Sequence, residues 1–252
     1  MAKGYSKQVT DRQKSSRSLA ETISTNQEAI ASGLEAVLER VAVGKKVPDT
    51  RGLLALLAQL VTTNSEETAA ADRAHELEMA DDVAPRNARD SSAAKVRETL
   101  IDLRGALLTT YGDATVAAFG LAAAVPTDGQ AVVSYGQKVS EALATVKLGK
   151  PKRDGVSMDL KVFAKELKTH LPALEGALSD VTREVREGQA TLGIKTKAIE
   201  TNDRDFQRVG ALVEQLAKFA NLPEVAKKAR PSARKPGQAE ADDEPADGVP
   251  TA

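Results

Sequence analysis

Two ladders of apolar residues, each repeating every seven positions, run through residues 160–220 and restrict what this chain can fold into. One ladder has the members Leu160, Leu167, Leu174, Val181, Val209 and Leu216. The other, offset by four positions, has the members Ala164, Leu171, Leu178, Val185, Leu192, Ile199, Phe206, Val213 and Ala220. Offset ladders of this period form the seam of a packed helix, which here would be roughly 90 Å long. The register survives Pro172, Gly188 and Gly193, so the pattern predicts one long helix, kinked or made of two nearly collinear parts.

The first ladder is polar in its middle, where Gly188, Lys195 and Asn202 stand at the apolar positions. The helix surface that packs against these residues must be smaller, more solvated or absent. One interpretation is a partly exposed section of helix. The other is a polar layer that sets the register of the helices or binds a partner. The sequence favours the first interpretation and leaves the second open.

Phe206 lies on the unbroken ladder and is one of only four phenylalanines in the chain. Its position predicts a residue of the bundle core. The alternative is that Asn202, Asp203 and Asp205 mark a helix break and that Phe206 is an exposed anchor for a partner.

The composition favours helices and excludes several classes of protein. The 252 residues include no cysteine and no tryptophan, and aromatic residues make up 3% of the chain. Without cysteine, disulfide scaffolds, thiolate metal sites, iron–sulfur clusters and cysteine nucleophiles are excluded. A net charge of −1 gives no global attraction to nucleic acid, and a hydrophobic fraction of 41% suffices for a core. We therefore predict an all-α fold, an elongated antiparallel bundle of about four to six helices.

Start and stop signals for helices divide the remainder of the chain. The expected elements are a helix over residues 16–43, a helix from Asp49 or Thr50 to Met79, a loop over 81–90 around Pro85, a helix from Ser91 or Ser92 to Gly112, a short apolar helix between Asp113 and Pro126, and a helix that begins at Asp128.

The composition of the two ends predicts three regions along the chain. Residues 1–14 are polar and basic, and we expect a flexible arm. Residues 15–221 carry the helical patterns and form one predicted domain. Residues 222–252 are low in complexity and rich in Ala, Pro and charge, which predicts a disordered tail in which 224–230 have the pattern of one or two helical turns.

Helical bundles can hold metal sites made of carboxylates and histidines, and this chain has one candidate ligand pair. Asp72 and His75 have the i, i+3 spacing of a ligand pair, with Glu76 and Glu78 close by. A second such pair is missing, since His170 follows Glu166 at the wrong spacing, next to Pro172. We therefore predict no metal, cofactor or catalytic residues, and we infer no small-molecule substrate.

Four functions remain open at this level, and the least favoured is a metal–carboxylate enzyme built around Asp72 and His75. The favoured one is a non-catalytic scaffold or adaptor in the cytoplasm, which binds a protein partner or a second copy of itself through helical faces. The alternative is a membrane-interacting bundle that inserts the apolar segment 114–125. This segment is too short to span a bilayer, and no apolar window long enough to do so exists. Nucleic-acid binding is disfavoured because the basic residues are not interleaved with aromatic ones.

Overall fold

The computed structural model describes residues 5–42 and 46–240, and 78% of these residues are helical. In these two ranges seven helices follow one another: α1 (Lys7–Leu38), α2 (Thr50–Asp81), α3 (Val83–Thr110), α4 (Asp113–Ala118), α5 (Gly129–Thr145), α6 (Leu160–Phe219) and α7 (Pro223–Ala229). Within the described ranges no strand forms, and the only β-type pairing is an isolated bridge between Pro231 and Ala239. The prediction of an all-α fold is confirmed.

The long heptad pattern forms one continuous helix, α6, of 60 residues. It passes through Pro172 without ending, and through the polar positions Lys195 and Asn202. The sequence left open whether this region is one helix or two. The apolar seam keeps its phase throughout, and that constant phase suits a single helix.

The chain divides into two compact units, which are described separately. Unit 1 consists of Met1–Leu77 and Ala190–Ala252, and unit 2 consists of Glu78–Gln189. Helices α2 and α6 therefore each contribute residues to both units. The predicted single domain over 15–221 remains a prediction.

Unit 1 is built on three long helical segments. Arg12 of α1 pairs with Asp203 of α6, and further along α1 Gly33 packs against Ala220, the residue that follows α6, so α1 and α6 run parallel. Contacts of α2 with α6 follow the opposite order, so α2 is antiparallel to α6. The buried apolar core between these segments contains Leu19, Ile23, Ile30, Leu34, Leu54, Ala58, Val61, Phe206, Val209, Val213 and Ala217.

Unit 2 has its own core around α3, α4, α5 and the first part of α6. Helix α5 lies close against α6, because a Cβ atom at Gly136 would stand only 2.7 Å from the Leu171 side chain. The buried members of this core are Val96, Leu100, Leu103, Leu107, Val116, Phe119, Leu121, Val132, Val133, Val139, Leu167, Leu171 and Leu174. Nearly all of them stand at the helical spacings that the sequence pattern identified.

Two of the predicted boundaries are confirmed by their local geometry. The Asp128 side chain accepts a hydrogen bond of 2.9 Å from the backbone N–H of Ala131, which caps the start of α5. Gly112 ends α3 with φ of +97°, a conformation that other residues rarely adopt. The short helix α4 begins at Asp113 as expected, but it ends at Ala118, well before Pro126.

The prediction of a flexible arm over residues 1–14 is wrong for the part that the structure describes. Helix α1 begins at Lys7, and Val9 is fully buried. Arg12 donates hydrogen bonds of 2.7 and 2.6 Å to the two carboxylate oxygens of Asp203. The arm is helical because a distant ion pair and a buried valine hold it, neither of which is visible in the local composition. Residues 1–4 lie outside the described range.

The loop expected over residues 81–90 is helical instead. Helix α2 ends at Asp81, α3 begins at Val83, and Asp82 alone separates them. Pro85 stands in the first turn of α3, where backbone N–H groups have no partner within the helix, so a proline costs little there. The proline was therefore a signal for the start of a helix rather than for a loop.

The predicted disordered tail is ordered over its first part, whereas its residues 241–252 lie outside the described range. Helix α7 forms at the position where one or two turns were expected, and Ala226 and Ala229 are buried in unit 1. This packing depends on Gly210 of α6, because a Cβ atom there would lie 2.9 Å from the Ala229 carbonyl oxygen. The missing side chain lets α7 approach the backbone of α6.

Candidate functional site

One feature of unit 1 that internal packing does not explain is an apolar face, which we define as Leu53, Leu56 and Leu60 of α2 with Leu212 and Phe219 of α6. These side chains are between 39 and 66% exposed. The Leu-rich start of α2 is apolar on all sides, so only one of its faces can enter the core. Leu54, Ala58 and Val61 take those core positions, Leu57 packs against them partly buried, and the other three leucines are exposed to solvent.

The two rows of the apolar face lie along the same helix–helix seam. Asn64 of α2 donates a hydrogen bond of 3.2 Å to Asp205 of α6, which fixes where the seam runs. Leu212 and Phe219 stand seven and fourteen positions after Asp205, on the same row of α6. Leu60 stands four positions before Asn64, on the corresponding row of α2. Because the two helices are antiparallel, both rows extend from this contact in the same direction.

The segment of α2 that carries the apolar face also contains no charged residue. Residues 52–65 contain no Asp, Glu, Lys or Arg, although 28% of the whole chain is charged. Exposed large apolar side chains that occur singly need no explanation, whereas grouped ones on an uncharged surface mark interaction sites. The arrangement can bind another apolar surface, and it offers no group for chemistry.

A buried ion pair lies elsewhere in unit 1, where the sequence left two interpretations open for the polar middle of the ladder. Lys195 Nζ is 2.6 Å from Asp72 Oδ1, and their side chains are only 13% and 0% exposed. Asp72 also accepts hydrogen bonds of 2.8 Å from the Ser6 N–H and 3.0 Å from the Ser6 hydroxyl. Burial by itself raises the pKa of Asp72, but these three donors outweigh it and hold the pKa below its ordinary value.

Asn202 stands seven positions after Lys195 on the same ladder of α6 and belongs to the same polar section. It is 1% exposed, and the Ser16 hydroxyl of α1 lies 3.5 Å from its Oδ1. On the α2 side, the Thr68 hydroxyl donates to the Ala198 carbonyl at 3.3 Å. These directional contacts are satisfied at one helix register only, as expected of a register-setting layer. Leu192, on the other ladder nearby, is 47% exposed, so the section is partly exposed as well.

The residues weighed as metal ligands have structural partners instead. Asp72 forms an ion pair with Lys195, and His75 Nδ1 lies 3.0 Å from the Thr191 hydroxyl. In unit 2, Glu166 accepts a hydrogen bond of 3.2 Å from Thr99. The described residues do not bring Asp72 and His75 into a group of three metal-binding side chains.

One group of three carboxylates does form in unit 2, from Glu78, Glu184 and Glu187. One oxygen of each lies within 4.8 Å of the others. Sequence reasoning noted only Glu78, because Glu184 and Glu187 are more than a hundred positions away. Carboxylates are ligands for Ca²⁺ and Mg²⁺. However, Arg183 already pairs with Glu184 at 3.1 Å and Glu187 at 3.9 Å, so a protein cation balances part of the charge.

The carboxylate cluster affects the protonation of Glu78. Burial and the negative charges of Glu187 and Glu184 raise the pKa of Glu78 above its ordinary value. Its Oε1 is shielded from solvent and accepts no hydrogen bond from the described residues. The native state therefore binds a proton at Glu78 more tightly than the unfolded state does. The stabilisation that comes from this protonation is lost as the pH rises through the folded-state pKa of Glu78.

We expect Glu78→Gln to raise the melting temperature at about pH 7 and to lose that advantage at about pH 4, where Glu78 is itself protonated. Glutamine keeps the shape of the protonated acid without its charge. Glu76→Gln, which removes a charge from the same helix outside the cluster, is the control. Melting curves of both variants across this pH range are the measurement, and an equal response of both would contradict the argument.

A polar groove of about 440 Å³ lies between α1 and α2 of unit 1. Its lining is rich in hydroxyl groups, which include those of Ser16, Ser24, Thr62 and Ser65. Small-molecule sites are mostly apolar concavities with a few convergent polar groups. This groove has the opposite character and does not suggest a substrate.

The apolar segment over residues 114–125 was the candidate for membrane insertion. Its large side chains lie in the core of unit 2, where Val116 is 4% exposed and Phe119 and Leu121 are fully buried. Insertion would have to remove these three residues from the core. In the described part of the chain, no helix is both long and apolar enough to cross a bilayer.

Comparison with known proteins adds no relative: no protein-family model, no curated protein and no solved structure matches this chain.

Proposed function

We propose that this protein is a non-catalytic helical scaffold or adaptor that binds a protein partner through the apolar face. The single observation that carries the proposal is the grouping of exposed leucines at 53, 56 and 60 on a stretch of α2 without charge. Burying such side chains is favourable by about 25 cal/mol per Å², and no other element of the described chain covers them.

The spacing of these leucines indicates the shape of the partner. Leu53, Leu56 and Leu60 follow intervals of three and four residues, which is the spacing of a coiled-coil seam. A second helix could therefore pack along α2 with its own apolar stripe. Helix-in-groove recognition uses anchors at the same intervals. A cytoplasmic location is part of the same proposal.

Site-specific photo-cross-linking tests the proposal in cells that express the full chain. A photoreactive apolar residue would replace Leu56 in one variant and Leu77 in the other. Both leucines belong to α2 and both are 66% exposed. Leu77 is flanked by Glu76 and Glu78 and stands 21 positions away, about 30 Å along the helix.

We expect a cross-linked species of higher mass from position 56 and little from position 77, with mass spectrometry identifying the attached chain. Equal and weak cross-linking at the two positions would overturn the proposed function, because the apolar face would then have no partner.

A further inference from the structure

We propose that the partner of the apolar face is a second copy of this chain, which forms a two-fold symmetric dimer with α2 of one copy antiparallel to α2 of the other. This inference rests on the proposed function and names the partner of the same surface. Three properties of the surface support a second copy as the partner: its lack of charge, the charge that flanks it and its area.

The absence of charge favours self-association. In a two-fold dimer each patch meets its own copy, so any net charge on the patch would face a like charge. Residues 52–65 carry none. A partner that recognises ions, such as a nucleic acid or an anionic membrane surface, would find no Lys or Arg on this stretch.

The charges that flank the stretch determine the direction of pairing. Glu67 stands seven positions after Leu60, on the same row of α2, and is exposed. In a parallel pairing of α2 with its copy, this carboxylate would face its counterpart across the interface. In an antiparallel pairing centred at Leu56, the two Glu67 carboxylates lie roughly 33 Å apart and no longer repel.

The area is of the size that a specific dimer needs. With 39 to 66% of each side chain exposed, the five residues of the apolar face present roughly 350 Å² of apolar surface. An ordinary specific interface buries about 800 Å² per partner, of which roughly 450 Å² is apolar. The five side chains supply most of that amount, and the alanines and Thr63 around them supply the remainder.

The test is the mass of the purified full chain, measured by analytical ultracentrifugation over a range of concentrations up to about 100 µM. We expect the wild type to change from monomer to dimer over this range. Leu56→Glu should weaken the dimer at least about 100-fold, because it brings two carboxylates together at the two-fold axis. Leu77→Glu, at an equally exposed leucine of the same helix, should leave the dimer intact.

A charge swap tests the geometry itself. Leu56→Lys alone should also be monomeric, whereas an equimolar mixture of Leu56→Glu and Leu56→Lys should form a heterodimer, because the two copies of position 56 then attract. Since Leu56 is 66% exposed, neither variant should disturb folding, and circular dichroism verifies this.

Three results would overturn the inference: a wild type that stays monomeric, a dimer that Leu56→Glu leaves unchanged, or a mixture that stays monomeric. Failure of the proposed function is a separate result. If position 56 cross-links in cells only to a different protein, the scaffold or adaptor function holds and self-association is wrong.

Discussion

Replacing Phe206 with alanine should destabilise the protein by about 3–5 kcal/mol, the range for truncating a large buried aromatic side chain. Phe206 is 1% exposed and belongs to the core of unit 1. The variant loses the burial of the ring and leaves a cavity that rigid neighbouring helices cannot fill. Phe206→Leu keeps most of the volume and should cost less. Urea unfolding followed by circular dichroism measures both values.

Phe219→Ala is the matched control for this experiment. Phe219 lies on the same helix but is 57% exposed, so its removal should change the unfolding free energy by no more than about 0.5 kcal/mol at a concentration where the chain is monomeric. A negligible effect of Phe206→Ala would refute the core interpretation and restore the alternative in which Phe206 anchors a partner.

The parts of the fold that could be predicted are those that apolar periodicity alone specifies. Helix α6 and the burial of Phe206 follow from a seam of constant phase, which few structures other than a packed helix can satisfy. Asp128 as the cap of α5 could be predicted for a different reason, because its hydrogen bond joins residues only three positions apart.

The parts that could not be predicted depend on contacts between distant polar residues. Arg12 and Asp203 are 191 positions apart, and neither residue by itself indicates that the arm becomes helical. A weak signal did exist, since Val9, Arg12 and Ser16 continue the three-and-four spacing of Leu19 and Ile23. Because two of these residues are polar, an apolar pattern could not include them.

The apolar face was only half predictable. The sequence shows a dense apolar run at the start of α2, but a run that surrounds the helix does not say which side enters the core. That choice depends on where α1 and α6 lie. Arg51 of α2 pairs with Glu28 of α1 on one side, and Asn64 contacts Asp205 of α6 on another. Of the leucines between these directions, Leu54 is buried and Leu57 is partly buried, whereas the other leucines of the run are exposed.

The buried ion pair gives the second large effect that we expect. Lys195→Met removes the ammonium group and leaves the fully buried carboxylate of Asp72 without its cation, which should cost about 3–5 kcal/mol at neutral pH. Methionine retains a similar volume, so the change measures the charge rather than a cavity. Chemical unfolding of the purified protein gives the value.

The double variant Asp72→Leu/Lys195→Met is the control, because it removes both charges and leaves neither unpaired. An apolar pair of similar volume is often as stable as a buried ion pair. We therefore expect the double variant to recover most of the lost stability. If it is as unstable as Lys195→Met, packing or the loss of the Ser6 hydrogen bonds to Asp72 outweighs the effect of the unpaired charge.

The pH dependence separates these explanations further. In the wild type the pKa of Asp72 lies below its ordinary value, so its contribution to stability is complete above the unfolded-state pKa and is lost as the pH falls through the folded-state pKa. In Lys195→Met the main favourable donor is gone and burial dominates, which raises the pKa of Asp72. The carboxyl group is then protonated on acidification and its burial costs little. The stability difference between Lys195→Met and the wild type should accordingly shrink from about pH 7 to about pH 3, whereas a difference caused by packing would stay constant over that range.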